Sequence, residues 1–164
     1  MNRILLILDN KENRRLLFET LSTQYDLTTY EDETSLDQPF DLGIIDGRAL
    51  DRLQEQLSAR KRKELPAILP FLLVTNKKDV GMATRHLWHS IDEIIITPIE
   101  KIELFARVGG VIRTRQISSE FSLKVVQYSP SAYVLVDSNR KIYLWNTAAE
   151  EIFGQNSDEV IGID

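Results

Sequence analysis

The chain has 164 residues, 43% of them hydrophobic and 27% charged, and a formal net charge of −5. The length allows one domain of ordinary size plus a fragment, or two very small domains, and the composition is that of a soluble globular protein. The negative charge argues against nucleic acid as the main ligand. The absence of cysteine excludes disulfides, thiolate metal sites and a cysteine nucleophile. No apolar run is long enough to span a bilayer, and the first one is too short for a signal peptide, so we expect a cytoplasmic protein.

Five short apolar runs in the first two thirds of the chain predict β-strands, because residues that are apolar at successive positions suit strands buried on both faces. These runs lie at residues 3–8, 26–30, 40–45, 71–74 and 94–96. Strands of this kind occur in parallel sheets that carry helices on both sides.

Apolar residues at helical spacing predict helices between the strands, at residues 14–24, 50–63 and 79–89. The acidic segment 31–39 holds one apolar residue, so we expect no full helix there and a less covered flank of the sheet. A further helical pattern runs from Glu100 to Val126 and is weakened at Gly109-Gly110. The alternation of strands and helices predicts an α/β fold with a doubly wound, five-stranded parallel sheet.

Two carboxylates end buried strands of this predicted sheet. Asp9 closes the first strand and Asp46 closes the third. Because ligands of open α/β sheets bind at the carboxyl ends of the strands, the two acids predict a small anionic pocket. The alternative is that each aspartate caps a following helix or opens a turn.

Residues 1–116 resemble the receiver domain of two-component response regulators. The resemblance depends on an ordered set of features: an acid after the first strand, Asp46 after the third, Thr75 after the fourth, Pro98 after the fifth, and the helix start at 103–108. It implies a flavodoxin-like fold and a regulatory protein, not an enzyme. It also implies a partner that donates the phosphoryl group, either a histidine kinase or a phosphotransfer protein.

The same resemblance assigns roles to individual residues. Asp46 would be the phosphoacceptor, and the hydroxyl of Thr75 would bind the phosphoryl group. Mg²⁺, which prefers oxygen ligands, would be held by Asp9, Asp46 and the main-chain carbonyl of Arg48, with Asn10 beside them. The carboxylate nucleophile and the cation together form the chemistry that phosphoryl transfer needs.

Three positions depart from the receiver pattern. Asn10 stands where the family usually has a second acid, Thr97 where it has a lysine, and Ile94 where it has an aromatic residue. If the lysine acts like one oxyanion donor, its loss costs roughly 3 kcal/mol, or on the order of a hundredfold in rate. We therefore expect a weakened Mg²⁺ site and weak or absent phosphorylation.

Two interpretations of residues 1–116 stay open. One is a weakly phosphorylated receiver of a phosphorelay, and the other is a phosphorylation-independent pseudo-receiver that serves docking or dimerisation. A haloacid-dehalogenase-type phosphatase is disfavoured, because Arg48 stands where such an enzyme has a second aspartate. His86 and His89 lie one helical turn apart without an evident third metal ligand, so we expect a surface or packing role for them.

Residues 129–164 resemble the opening of a PAS sensory domain. The pattern is Ser129-Pro130, a predicted hairpin, Asn146 as the cap of a helix, and the pair Phe153-Gly154. The resemblance implies a partial α+β PAS segment without the strands that complete its ligand cavity. We expect the chain to be the front of a longer signalling protein whose output domain, such as a histidine kinase, lies elsewhere.

Residues 117–128 are predicted to form a helical linker between the two modules. Ile117, Phe121 and Val125 keep an apolar stripe at helical spacing. Connectors of this kind pair as coiled coils, which predicts a homodimer through the linker. The alternative is a loose linker whose apolar residues pack onto the receiver-like domain.

Overall fold

The computed structural model describes residues 1–65, 67–79, 90–136 and 140–163. The chain divides into two compact units, Met1–Gln116 and Ile117–Asp164, called unit 1 and unit 2 below and described separately. The predicted helix at 79–89, with His86 and His89, lies outside the described residues except for Asp79.

Unit 1 is built on a parallel sheet, whose five strands in the described part are β1 (Arg3–Ile7), β2 (Asp26–Thr29), β3 (Leu42–Asp46), β4 (Phe71–Asn76) and β5 (Glu93–Thr97). The strands lie in the order β2-β1-β3-β4-β5, and all neighbouring pairs are parallel. This order confirms the predicted doubly wound, flavodoxin-like fold. The carboxyl ends of all five strands therefore lie at one edge of the sheet.

The described helices that accompany the sheet are α1 (Lys11–Leu21), α2 (Gly47–Glu64) and α3 (Lys101–Gln127). Helix α3 is continuous through the glycine pair that the sequence marked as a weak point, and it confirms the helical pattern predicted after residue 100. Between β2 and β3 only a 3-10 helix forms, over Glu33–Leu36, as expected for that acidic segment. No helix in the described ranges combines the length and the apolar character needed to cross a membrane.

The sheet is buried on both faces by two apolar clusters. On one face, Leu53 and Leu57 of α2 pack over the strands, and on the other face Leu21 of α1 packs together with Leu104 and Val108 of α3. Burial on both sides explains why β1, β3 and β4 are apolar at successive positions.

The flank beside the shortened second helix is covered, which corrects the expectation from the sequence. Leu36 and Phe40 are 5% and 3% exposed and belong to the same cluster as the apolar residues of α2. Leu5 and Ile7, on the strand beneath, are buried in that cluster as well. Two bulky side chains from the loop region thus replace the apolar face of a helix.

The ring of Phe71 covers Gly43 inside this core. The two residues pair across β3 and β4, and a Cβ atom built on Gly43 would lie 2.3 Å from the Phe71 ring. Phe71 is fully buried and makes an edge contact with Phe40, with ring centroids 5.9 Å apart. Strand β3 requires a glycine here because the ring occupies the space of its side chain.

A network of ion pairs joins the C-terminal end of α2 to α3. Arg115 donates to Asp41 Oδ1 at 3.3 Å and to the Ile68 carbonyl at 2.8 Å, and it also pairs with Glu64. Glu64 in turn accepts a hydrogen bond from Arg60 Nη1 at 2.6 Å. Burial raises the pKa of Glu64, but the hydrogen bonds and charges of Arg115 and Arg60 outweigh it, so the pKa is lowered overall.

Unit 2 contains the antiparallel pair β6 (Val134–Val136) and β7 (Ile142–Trp145), followed by α4 (Thr147–Phe153) and α5 (Ser157–Val160). The predicted hairpin strands and the helix after them are confirmed. Gly154 ends α4 with a φ of 71°, a left-handed conformation that glycine adopts without strain.

Asn146 lies at the centre of unit 2 and is fully buried. Its Oδ1 accepts hydrogen bonds from the backbone N–H groups of Ala149, at 3.1 Å, and Tyr133, at 2.8 Å. Its Nδ2 donates to the carbonyls of Val126 and Ser131, each at 2.9 Å. The predicted helix cap therefore also joins α3, the segment just before β6, and α4.

The Gly43→Ala substitution should lower the free energy of unfolding by about 1–3 kcal/mol, because the added Cβ must displace a packed aromatic ring. Chemical denaturation followed by circular dichroism measures the change. Gly47→Ala is the matched control, since nothing lies within 4 Å of a Cβ at that position and alanine favours a helix. A Gly43→Ala variant as stable as the wild type would contradict the account of the Phe71 contact.

The Glu64→Gln substitution should lower the free energy of unfolding at neutral pH by about 1 kcal/mol, with solvent screening taken into account. Because the folded pKa is below the reference value of 4.5, the carboxylate stabilises the fold above that pH and loses this effect as the pH falls through the folded pKa. The difference between variant and wild type should therefore shrink in acid. Glu19→Gln, in an exposed pair with Arg15, is the control and should change little at either pH.

Candidate functional site

A pocket of about 600 Å³ lies at the carboxyl ends of the strands in unit 1. Its lining includes five of the six residues predicted for the site, namely Asn10, Asp46, Arg48, Thr75 and Thr97. The sixth, Asp9, does not line the pocket. Strand ends that are far apart in the chain meet here because the sheet is parallel and doubly wound.

Asp46 is held by the N-terminal ends of two helices. Its Oδ1 accepts a hydrogen bond from the Ala49 N–H at 3.0 Å and so caps α2, and its Oδ2 accepts one from the Asn10 N–H at 3.0 Å. The residue is 8% exposed. Helix N-termini favour a negative charge, so this position stabilises the carboxylate. The contacts of Asp46 are those of a helix cap, which is the alternative that the sequence left open.

Helix α2 begins directly after Asp46, at Gly47, and this places Arg48 in the first helical turn. Carbonyl groups in an α-helix point toward its C-terminal end, where each bonds an N–H four residues on. The Arg48 carbonyl is therefore directed away from the end of β3. This orientation does not favour the metal-ligand role predicted for it.

Asp9 forms an ion pair with Arg52 on α2. Arg52 Nη1 lies 3.1 Å from Asp9 Oδ2, and Nη2 lies 3.0 Å from Oδ1. The side chains of Asp9 and Arg52 are 33% and 52% exposed. The contact is bidentate, the geometry in which the guanidinium fork matches a carboxylate best.

The remaining predicted residues make local contacts. Asn10 caps α1, since its Oδ1 accepts a hydrogen bond from the Asn13 N–H at 2.9 Å. The Thr97 hydroxyl donates to the main-chain carbonyl of Thr75 at 3.2 Å, across the β4–β5 pair. Ile94, at the family's aromatic position, packs against the core on the α2 face. None of these contacts replaces the charge of the family's lysine.

Sequence reasoning missed Arg52 and the pocket residues Asp51 and Asp79. Arg52 follows Arg48 by four residues, so a helix starting directly after Asp46 would have placed both arginines on one face. The apolar pattern begins only at Leu50, and the helix start was therefore predicted too late.

The residues present do not fit a divalent cation. Both oxygens of Asp46 accept backbone hydrogen bonds, both oxygens of Asp9 face a guanidinium, and the Asn10 side-chain oxygen caps a helix. In the part of the chain that the structure describes, no three acidic or histidine residues are grouped so that they could hold a metal ion. The predicted ligand set is thus already occupied by donors of the chain itself.

Comparisons with known proteins found similarities for both parts of the chain. A family model described as the PAS fold matches residues 122–164. No curated protein matches the chain.

Solved structures of receiver proteins are similar to this chain in fold. A response regulator receiver modulated diguanylate cyclase from Pelobacter carbinolicus is 21% identical over 73% of this chain and 99% of that one, with a TM-score of 0.57. Full-length FixJ from B. japonicum is 24% identical over 77% of this chain and 64% of its own, with a TM-score of 0.61.

The N-terminal signal receiver domain of a two-component response regulator from Bacteroides fragilis is 18% identical over 68% of this chain and 98% of that one, with a TM-score of 0.57. At these identities the likeness is one of fold. The chain therefore combines the fold of response-regulator receiver domains with a segment that matches the PAS fold.

Proposed function

We propose that this chain is the regulatory part of a signalling protein, in which unit 1 acts through protein contacts and without phosphorylation of Asp46. The observation that carries the proposal is the double hydrogen bonding of this carboxylate, by the N–H groups of Asn10 and Ala49. Such bonds lower the nucleophilicity of a carboxylate, and attack on phosphorus would weaken the cap of α2. Loss of a cap costs about 1 kcal/mol, in addition to the roughly 3 kcal/mol lost with the lysine.

Together these effects correspond to about a thousandfold lower rate of phosphoryl transfer. The charge of the pocket acts in the same direction. Its lining carries three carboxylates, from Asp46, Asp51 and Asp79, and one cation, Arg48, so the described lining has a formal charge of −3 + 1, or −2. An anionic phosphodonor is repelled by such a lining.

The second candidate is the phosphoacceptor of a phosphorelay, which a histidine kinase or phosphotransfer protein would label at Asp46. The convergence of Asp46, Thr75 and Thr97 in one pocket favours it, and Arg48 offers a cation there. In this candidate the chain modifies itself in a single turnover and does not act as a steady catalyst. Residues 122–164, which match the PAS fold, supply a sensory input in both candidates. Pairing of two copies through residues 117–128 stays a prediction in both.

Treatment of the full chain with a small acyl phosphate and Mg²⁺ distinguishes the two candidates. We expect the intact mass to stay unchanged, because the carboxylate is hydrogen-bonded at both oxygens and lacks its usual cations. Gain of one phosphoryl group in the wild type would overturn the proposal and support the phosphorelay candidate.

Asp46→Asn is the matched control, because the side-chain oxygen of asparagine can keep the cap of α2 while the carboxylate nucleophile is removed. A label that persists in this variant lies elsewhere in the chain and leaves the phosphorelay candidate without support. A receiver protein of known activity, treated in parallel, shows that the phosphodonor is reactive.

A further inference from the structure

We infer that Arg52 takes the place of a divalent cation at this site, so that unit 1 neutralises Asp9 with a charge of its own. The inference deepens the proposed function and rests on it for its meaning, since a site that transfers no phosphoryl group has no need of an exchangeable metal. The contacts that support it are different ones, between the end of β1 and the second turn of α2.

The geometry of the Asp9–Arg52 pair leaves no free carboxylate oxygen for a cation. Both Asp9 oxygens face the guanidinium, at 3.1 Å and 3.0 Å from Nη1 and Nη2 of Arg52. A cation bound by Asp9 would approach the same two oxygens. The guanidinium therefore occupies the coordination direction of this carboxylate, and its positive charge repels a second cation nearby.

The position of Arg52 follows from the start of α2. Asp46 caps α2, and this fixes where the helix begins at the end of β3. From that start, Arg52 lies four residues beyond Arg48 on the same helix face. Arg48 lines the pocket, so the helix directs both arginines toward the strand ends. The positive charge beside Asp9 therefore comes from the same helix that Asp46 caps.

A metal at this site would depend on Asp9 for its charge, because the remaining donors are weak on their own. Mg²⁺ demands near-octahedral oxygen geometry and gives up its water reluctantly. Asn10 brings no charge, and the Arg48 carbonyl belongs to the helix. An exposed ion pair contributes little to the stability of a fold, so the effect of Arg52 should appear in cation binding and not in the free energy of unfolding.

Binding of Mn²⁺ to the full chain, followed by electron paramagnetic resonance and titration calorimetry, tests the inference. The wild type should show no saturable Mn²⁺ site. Arg52→Gln should gain one, at least tenfold tighter than any binding to the wild type, with an unchanged denaturation midpoint in the absence of metal. The double variant Asp9→Asn with Arg52→Gln should lose the gained site, because its ligand is removed.

Arg62→Gln, farther along the same helix and exposed, is the matched control and should bind Mn²⁺ as the wild type does. A saturable site in the wild type that Asp9→Asn abolishes would overturn the inference. So would an Arg52→Gln variant that binds no more tightly than the wild type.

These outcomes are separate from the phosphodonor result. Labelling of Asp46 without a Mn²⁺ site would remove the proposed function and leave the assignment of Arg52 standing. A Mn²⁺ site in the wild type without labelling of Asp46 would remove the assignment of Arg52 and leave the proposed function standing.

Discussion

The carboxylate of Asp46 lies where two helices begin, and the rest of the site depends on that constraint. One oxygen holds the start of α2 and the other holds the N–H of Asn10, at the start of α1. Helix α2 consequently follows β3 without an intervening loop. The direct start turns the Arg48 carbonyl into the helix and places Arg52 beside Asp9.

The departures of this pocket from the receiver pattern share one property, which is that the polar groups bind partners from the chain itself. Where the family has exchangeable or mobile partners, this chain has fixed ones of its own: backbone N–H groups on Asp46, a guanidinium on Asp9, and a threonine hydroxyl on the Thr75 carbonyl. These polar groups are therefore bonded to the chain itself before any ligand arrives. Such a site favours one conformation, which agrees with the proposed action through protein contacts.

The sequence predicted most of the fold because both faces of the sheet are buried, and that burial produces continuous apolar runs. It also predicted which strand ends meet, since parallel strands share one edge. It failed at the start of α2, where Gly47 and Arg48 carry no apolar signal, and so it missed Arg52. The cover that Leu36 and Phe40 give the sheet was also missed. Leu36 is a single apolar residue in an acidic segment and shows no periodicity, and Phe40 was assigned to the third strand, which begins only at Leu42.

The buried amide of Asn146 makes unit 2 sensitive to a change of charge at this one position. Its amino group donates to the carbonyls of Val126, Ser129 and Ser131, while its oxygen accepts from two N–H groups. The substitution Asn146→Asp would keep an oxygen that accepts from the N–H groups of Tyr133 and Ala149. It would also place a negative charge against the carbonyl oxygens to which the amino group donates. A single exchange of an amide for a carboxylate would thus act on the contact between α3 and the segment before β6, while the shape of the side chain stays almost the same.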